Sequence, residues 1–192
     1  MLLSDIDALV TAAENGDEIG AEAAASRLSA AGAEVVPQLW SLARSPNPDL
    51  RWWAVRALAQ SPDASPEMLT TCLEDASPDV RSAAALGLAI HVSERTVPAL
   101  LRALQDRDGL TAELAGRALE NLGAKATEPL LEALSGWTGR SRVAALRVLS
   151  KIGDERSIPA LLRASEDDTA LGQYWAREGL ERLGLSMMYM KP

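Results

Sequence analysis

Few side chains in this chain can do chemistry, and they do not come in sets. His91 is the only histidine and Cys72 the only cysteine. A Ser-His-Asp or Cys-His relay would rest on one imidazole, and no spacing brings a partner to it. A zinc site built from several histidines is excluded, as is an intrachain disulfide. The acidic run Glu166-Asp167-Asp168 has the composition of a cation site. It lies at a helix junction, where capping and dipole stabilisation account for it better. No Gly-rich phosphate loop is present. The expectation is therefore no catalytic residue, no metal and no cofactor.

The aromatic and basic residues hold more information. Trp52 stands where neighbouring registers carry Glu22, Ser82, Glu113, Val143 and Tyr174, a position that is usually polar. Beside Arg51 and Arg56 it either anchors a partner or folds over an adjacent side chain. Trp40 and Trp53 fall at inward registers and are expected in the core. Trp137 sits in Ser135-Gly136-Trp137-Thr138-Gly139, a loop tip. One register runs Glu34, Ala64, Arg95, Lys125, Arg156, and seven residues on come Ser41, Thr71, Arg102, Glu132, Arg163. If these share a helical face, Arg95, Arg102, Lys125, Arg156 and Arg163 form a basic groove suited to an acidic peptide or a carboxylate ligand. The alternative is a solvated face.

What positions these residues is a repeat. Leu28, Leu58, Leu88, Leu119, Leu149 and Leu180 recur at spacings of 30 or 31, each preceded four residues earlier by Ala24, Ala54, Ala84, Ala115, Ala145 or Ala176. Leu9, Leu39, Leu69, Leu100, Leu130 and Leu161 form a second ladder with the same spacings. A period of this length implies stacked supersecondary units. Residues 50, 53, 54, 57 and 58 trace one helical face, with Asn47 as cap, Pro48 at the first helical position and Asp49 at the positive helix end. Ser77-Pro78-Asp79 repeats these signals. Gly32, Gly123, Gly153 and Gly184 share the register that ends a helix, while Pro62 and Val92 replace glycine there, so those two turns should differ in shape. Proline at 98 and 159 begins a second helix in each unit rather than breaking one. The count is about twelve helices in six antiparallel pairs, the first near 4–14 and the last ending near 183.

The segment Asp79-Val80-Arg81-Ser82-Ala83-Ala84-Ala85-Leu86-Gly87-Leu88, followed by Val97-Pro98-Ala99-Leu100-Leu101, resembles a short HEAT repeat of the kind found in phycobilisome lyases. The resemblance covers about residues 17–184. It implies an all-α, right-handed α-solenoid (an alpha-alpha superhelix) of about six antiparallel helix pairs, HEAT-like throughout. The Asp-x-Arg element is clear at 49–51 and 79–81, survives only as Arg142 later, and gives way to Ala112 and Gln173 at the equivalent places. A single solenoid over 1–184 is expected, with a Met-rich tail at 185–192 covering its open end or meeting another subunit. Cys72 is expected to be a small buried apolar side chain.

Net charge is −8, and residues 1–50 carry eight acids against two arginines. That balance argues against a nucleic-acid partner. No stretch approaches the ~20 apolar residues of a membrane helix, and the start lacks the basic and apolar regions of a secretory signal; a cytoplasmic protein is the expectation. The first functional reading is a non-enzymatic interaction module that binds a protein or acidic peptide along a concave groove and encloses no pocket for catalysis. The resemblance suggests an alternative, a bilin (tetrapyrrole) lyase or chromophore-handling protein. A nucleic-acid-binding role comes third. Oligomeric state is not legible.

Overall fold

The computed structural model describes residues 2–185. Among these residues every regular element is helical. They divide into two compact units, one ending at Thr96 and the other beginning at Val97.

The first unit contains α1 (Leu2–Asn15), α2 (Glu18–Ser29), α3 (Val36–Leu42), α4 (Pro48–Gln60), α5 (Pro66–Cys72) and α6 (Pro78–Ile90). Helix α1 packs on α2, α2 on α4, and α4 on α6, while the short α3 and α5 each lean on the long helix that follows. The second unit repeats the plan with α7 (Val97–Ala103), α8 (Gly109–Leu122), α9 (Thr127–Gly136), α10 (Gly139–Ile152), α11 (Ile158–Asp167) and α12 (Ala170–Arg182). There α8 packs on α10 and α10 on α12, with α7, α9 and α11 each against its successor. Each unit is thus a stack of helical hairpins in contact with sequence neighbours, the α-solenoid plan.

The two ladders are its core. All twelve ladder leucines are at most 5% exposed, and all six paired alanines are fully buried. Small side chains let the long helices approach closely, and at Gly87 even a methyl is too much: a Cβ there would lie 2.7 Å from the Ala59 Cβ. Cys72 is buried as expected.

Caps follow the sequence with one exception. The Asn47 side chain accepts from the Asp49 and Leu50 amides at 2.9 and 3.4 Å, and Pro48 opens α4. Asp17, Asp108 and Thr169 cap α2, α8 and α12 in the same way. Ser77 occupies the cap position of α6 but its hydroxyl caps nothing; its amide instead donates to Asp75 Oδ1 at 2.8 Å. The four register glycines adopt positive φ. Short 3-10 turns at Ala33–Val35, Glu94–Thr96, Gly123–Lys125 and Glu155–Ser157 lead into α3, α7, α9 and α11. Such a step does not precede α5. There Ser61 ends α4 in an extended conformation, which the following Pro62 demands, so this turn does differ in shape.

The Asp-x-Arg element is a clasp. Arg51 donates to the carbonyls of Ser45 and Pro46 and to both oxygens of Asp75. Arg81 donates to the Asp75 and Ala76 carbonyls. Arg142 ties the Leu134 carbonyl to Asp168. Arg51 and Arg81 pin the loop before their own helix, Arg142 holds the end of α9, and Arg51 and Arg142 also grip the carboxylates of Asp75 and Asp168. Among the described residues no helix is long and apolar enough to cross a membrane.

Candidate functional site

The first turns of the long helices lie side by side in the first unit. Between them opens a cleft of about 390 Å³. Its walls are the end of α1 (Ala12, Ala13), the α1–α2 turn with Asp17 and Glu18, the first turns of α4 with Asp49, Trp52 and Trp53, and the start of α6 with Ser77 and Asp79. The helix starts meet because the repeat spacing places residues 49 and 79 at one register in neighbouring hairpins.

Trp53 is buried and Trp52 half-buried. Their rings meet edge to face, with centroids 4.5 Å apart and planes at 79°. The Arg56 guanidinium stands 5.5 Å from the Trp52 centroid and reaches both Glu22 carboxylate oxygens at 2.7 and 2.8 Å. The Arg56 hydrogen bonds hold the Glu22 carboxyl below its ordinary value, against the opposing effect of burial. Asp17 spends one oxygen on the Gly20 amide at 2.9 Å. The lining contains four carboxylates and no basic side chain. Chemically the cleft offers aromatic surface beside carboxylate acceptors, a setting for a group that is both flat and cationic.

Sequence reasoning singled out Trp52 but not the carboxylates that surround it. The signal was present: Asp49 and Asp79 share a register and each begins a long helix. What the pattern lacked was the knowledge that adjacent helix starts enclose space. Trp40, expected in the core, is half-buried instead, with the Arg44 guanidinium 4.7 Å from its ring centroid.

The basic residues are placed as follows. Arg95 belongs to the first unit, 86% exposed at the side chain, 3.9 Å from Glu67 and outside the cleft. Arg102, Lys125, Arg156 and Arg163 belong to the second unit and are exposed. Arg156 pairs with Asp154 and donates to the Ala124 carbonyl. His91 ends α6, its Nε2 3.1 Å from the Ala59 carbonyl oxygen, the position of a structural histidine. Asp168 is taken up by Arg142 and the Thr169 amide. Among the described residues no group of three His, Cys, Asp or Glu side chains could hold a metal.

With this geometry in hand, three comparisons bear on the chain. Residues 65–140 match the family model of HEAT repeats, and residues 50–75 and 141–167 match that of the PBS lyase HEAT-like repeat. The phycocyanobilin lyase subunit beta of Thermosynechococcus vestitus is 33% identical over 87 residues, 45% of this chain and 41% of that protein. The chain thus spans about two-fifths of the curated relative it matches. Among solved structures, the complex of CpcE and CpcF of phycocyanin lyase from Nostoc sp. PCC7120 superposes with a TM-score of 0.56 at 24% identity, over 77% of this chain and 64% of that one. An engineered protein superposes with a TM-score of 0.54 at 20% identity, over 95% of this chain and 98% of that one. Both structural likenesses show the fold.

These findings correct two expectations. The expectation of a non-enzymatic docking module, and of no enzyme, is contradicted by the similarity to a phycocyanobilin lyase subunit. The helix starts of the first unit line an open cleft, not an enclosed cavity.

Proposed function

We infer that this chain, a HEAT-repeat protein with repeats of the phycobilisome-lyase type, handles a bilin, holding a linear tetrapyrrole for attachment to an acceptor protein. The observation that carries this reading is the 33% identity over 87 residues with a phycocyanobilin lyase subunit. The repeat matches at 50–75 and 141–167 agree with it.

The chain's own groups favour binding and orientation over covalent chemistry. Cys72, the only thiol, is buried, and burial together with the nearby Asp75 pushes it up to about 12. A thiol so protonated is a poor nucleophile, so Cys72 is no carrier for the chromophore. The His91 ring is held against a backbone carbonyl. A protein of this kind accelerates attachment by fixing the reactive vinylic carbon near the acceptor's cysteine and by keeping the flexible tetrapyrrole in one conformation. A protein partner, the acceptor or a second subunit, belongs to this reading.

The test is titration with phycocyanobilin, first alone and then with an apo-phycocyanin subunit. A saturable shift of the bilin absorbance band, and faster covalent labelling of the acceptor when the chain is present, are expected. An unshifted spectrum and an unchanged labelling rate would overturn the reading.

A further inference from the structure

We propose that the outer side of α12 is a built-in stop, on which Arg177 and Glu181 keep a second copy of the chain from stacking. This goes beyond the bilin reading and does not depend on it.

Neighbouring long helices meet along fixed registers. A Cβ at Gly116 would lie 3.4 Å from Val148 Cγ2, so that register of α8 faces α10. A Cβ at Gly179 would lie 3.0 Å from the Ser150 Cα, so Ser150 of α10 faces α12. In the first unit Ala59 faces Gly87 of α6 in the same way. Along the repeat, the register of Gly116 runs Ala25, Val55, Ala85, Gly116, Leu146 and then Arg177. That of Ser150 runs Ser29, Ala59, Ala89, Glu120, Ser150 and then Glu181.

Every member of the first register before Arg177 is buried and uncharged. In the second, Ser29, Ala59 and Ser150 are buried, Ala89 is half-buried, and the carboxylate of Glu120 is met by Lys151 of α10 at 3.4 Å. On α12 both registers become charged and exposed, and neither Arg177 nor Glu181 has a hydrogen-bond or ion-pair partner. The layer of short helices changes in step. Leu104 after α7 and Leu134 in α9 are at most 4% exposed, and the half-buried Ser165 of α11 stands at their register.

A hairpin stacked on this side would take both charges out of water with no partner placed to meet them. Without such charges the last hairpin of a stack is adhesive, since the registers that hold a neighbour also fit a copy. Solubility alone does not account for the pattern. Leu171 and Tyr174 stay exposed on the same helix, so the charges are not a general polar coat; they fall at the two stacking registers.

Sedimentation velocity across a range of concentrations compares the wild type with Arg177→Leu combined with Glu181→Ser, which gives α12 the residues that α10 carries at these registers. A control, Arg163→Leu combined with Glu166→Ser, removes the same charges from exposed positions of α11. The α12 variant is expected to self-associate with a Kd about tenfold below that of the wild type, and amide exchange over residues 170–182 should slow as it does. The control is expected to sediment as the wild type. If the double variant does not fold, Arg177→Leu alone serves, with a smaller shift expected. Equal association of the α12 variant and the wild type overturns the proposal. So does association of the control to the same degree, or a wild-type dimer whose α12 amides are protected.

Discussion

Arg51 and Asp75 meet in a two-pronged ion pair, Nε to Oδ2 at 2.8 Å and Nη2 to Oδ1 at 2.9 Å, with both side chains about 85% buried. The pair joins the start of α4 to the loop after α5. Truncating Arg51→Ala strands the Asp75 carboxylate and frees two backbone carbonyls, and should cost about 2–3 kcal/mol in urea unfolding. Arg51→Lys keeps the charge but not the fork and should recover less than half of that loss. A lysine variant as stable as the wild type would show that charge alone holds the loop.

Acid stability should report on Asp154. Hydrogen bonds from the Arg156 side chain and amide, with a further one from Thr127, hold its carboxyl down at about 2, against an ordinary 3.8. A depressed carboxyl stabilises the fold fully above its unfolded value and loses that contribution as pH falls through its folded one. Stability should therefore drop between about pH 4 and pH 2, and Asp154→Asn should flatten that limb while lowering stability at neutral pH. Unfolding midpoints measured across this window in both proteins check it.

The thiol of Cys72 is both buried and raised, so it should resist alkylation in the folded protein at pH 8. Labelling should accelerate only as denaturant unfolds the chain, with a midpoint matching that seen by circular dichroism. Rapid labelling of the native protein would contradict the burial described for α5.

Gly87→Ala should destabilise by about 1–3 kcal/mol. The added methyl would meet the Ala59 Cβ at 2.7 Å and the Leu69 Cδ1 at 2.9 Å, and the Ala59 backbone stands just behind. Ala84→Leu and Ala115→Leu, at fully buried ladder positions, should cost a similar amount by overpacking. Chemical denaturation of the three variants supplies the values, and unchanged midpoints would mean that neighbouring helices shift freely apart.

Much of the fold was legible because a repeat states the same instruction six times. The ladder residues Leu58 and Ala54 are buried where the period says they are, and Asn47 caps α4 as its type and place require. What escaped were features set by a neighbour in space. Trp40 aligns with core leucines, yet its ring is long enough to reach out and lie under Arg44. Ser77 carries the cap signature, yet its hydroxyl makes no cap bond. The cleft was invisible for the same reason: Asp49, Asp79 and Trp52 are unremarkable singly, and only the side-by-side arrangement of helix starts turns them into a lined space. The basic register illustrates the reverse, since Arg156 is drawn to Asp154 and the Ala124 carbonyl by a turn that periodicity does not describe.

Because the long helices within each unit pack mainly on near neighbours in the chain, a hairpin is also an editable unit. Duplicating or deleting one set of about thirty residues would disturb only the contacts at the splice. Evolution can therefore change the length of such a protein almost as readily as a single surface residue. The number of hairpins then becomes a cheap variable for selection, while the chemistry carried by any one hairpin passes intact from one length to the next.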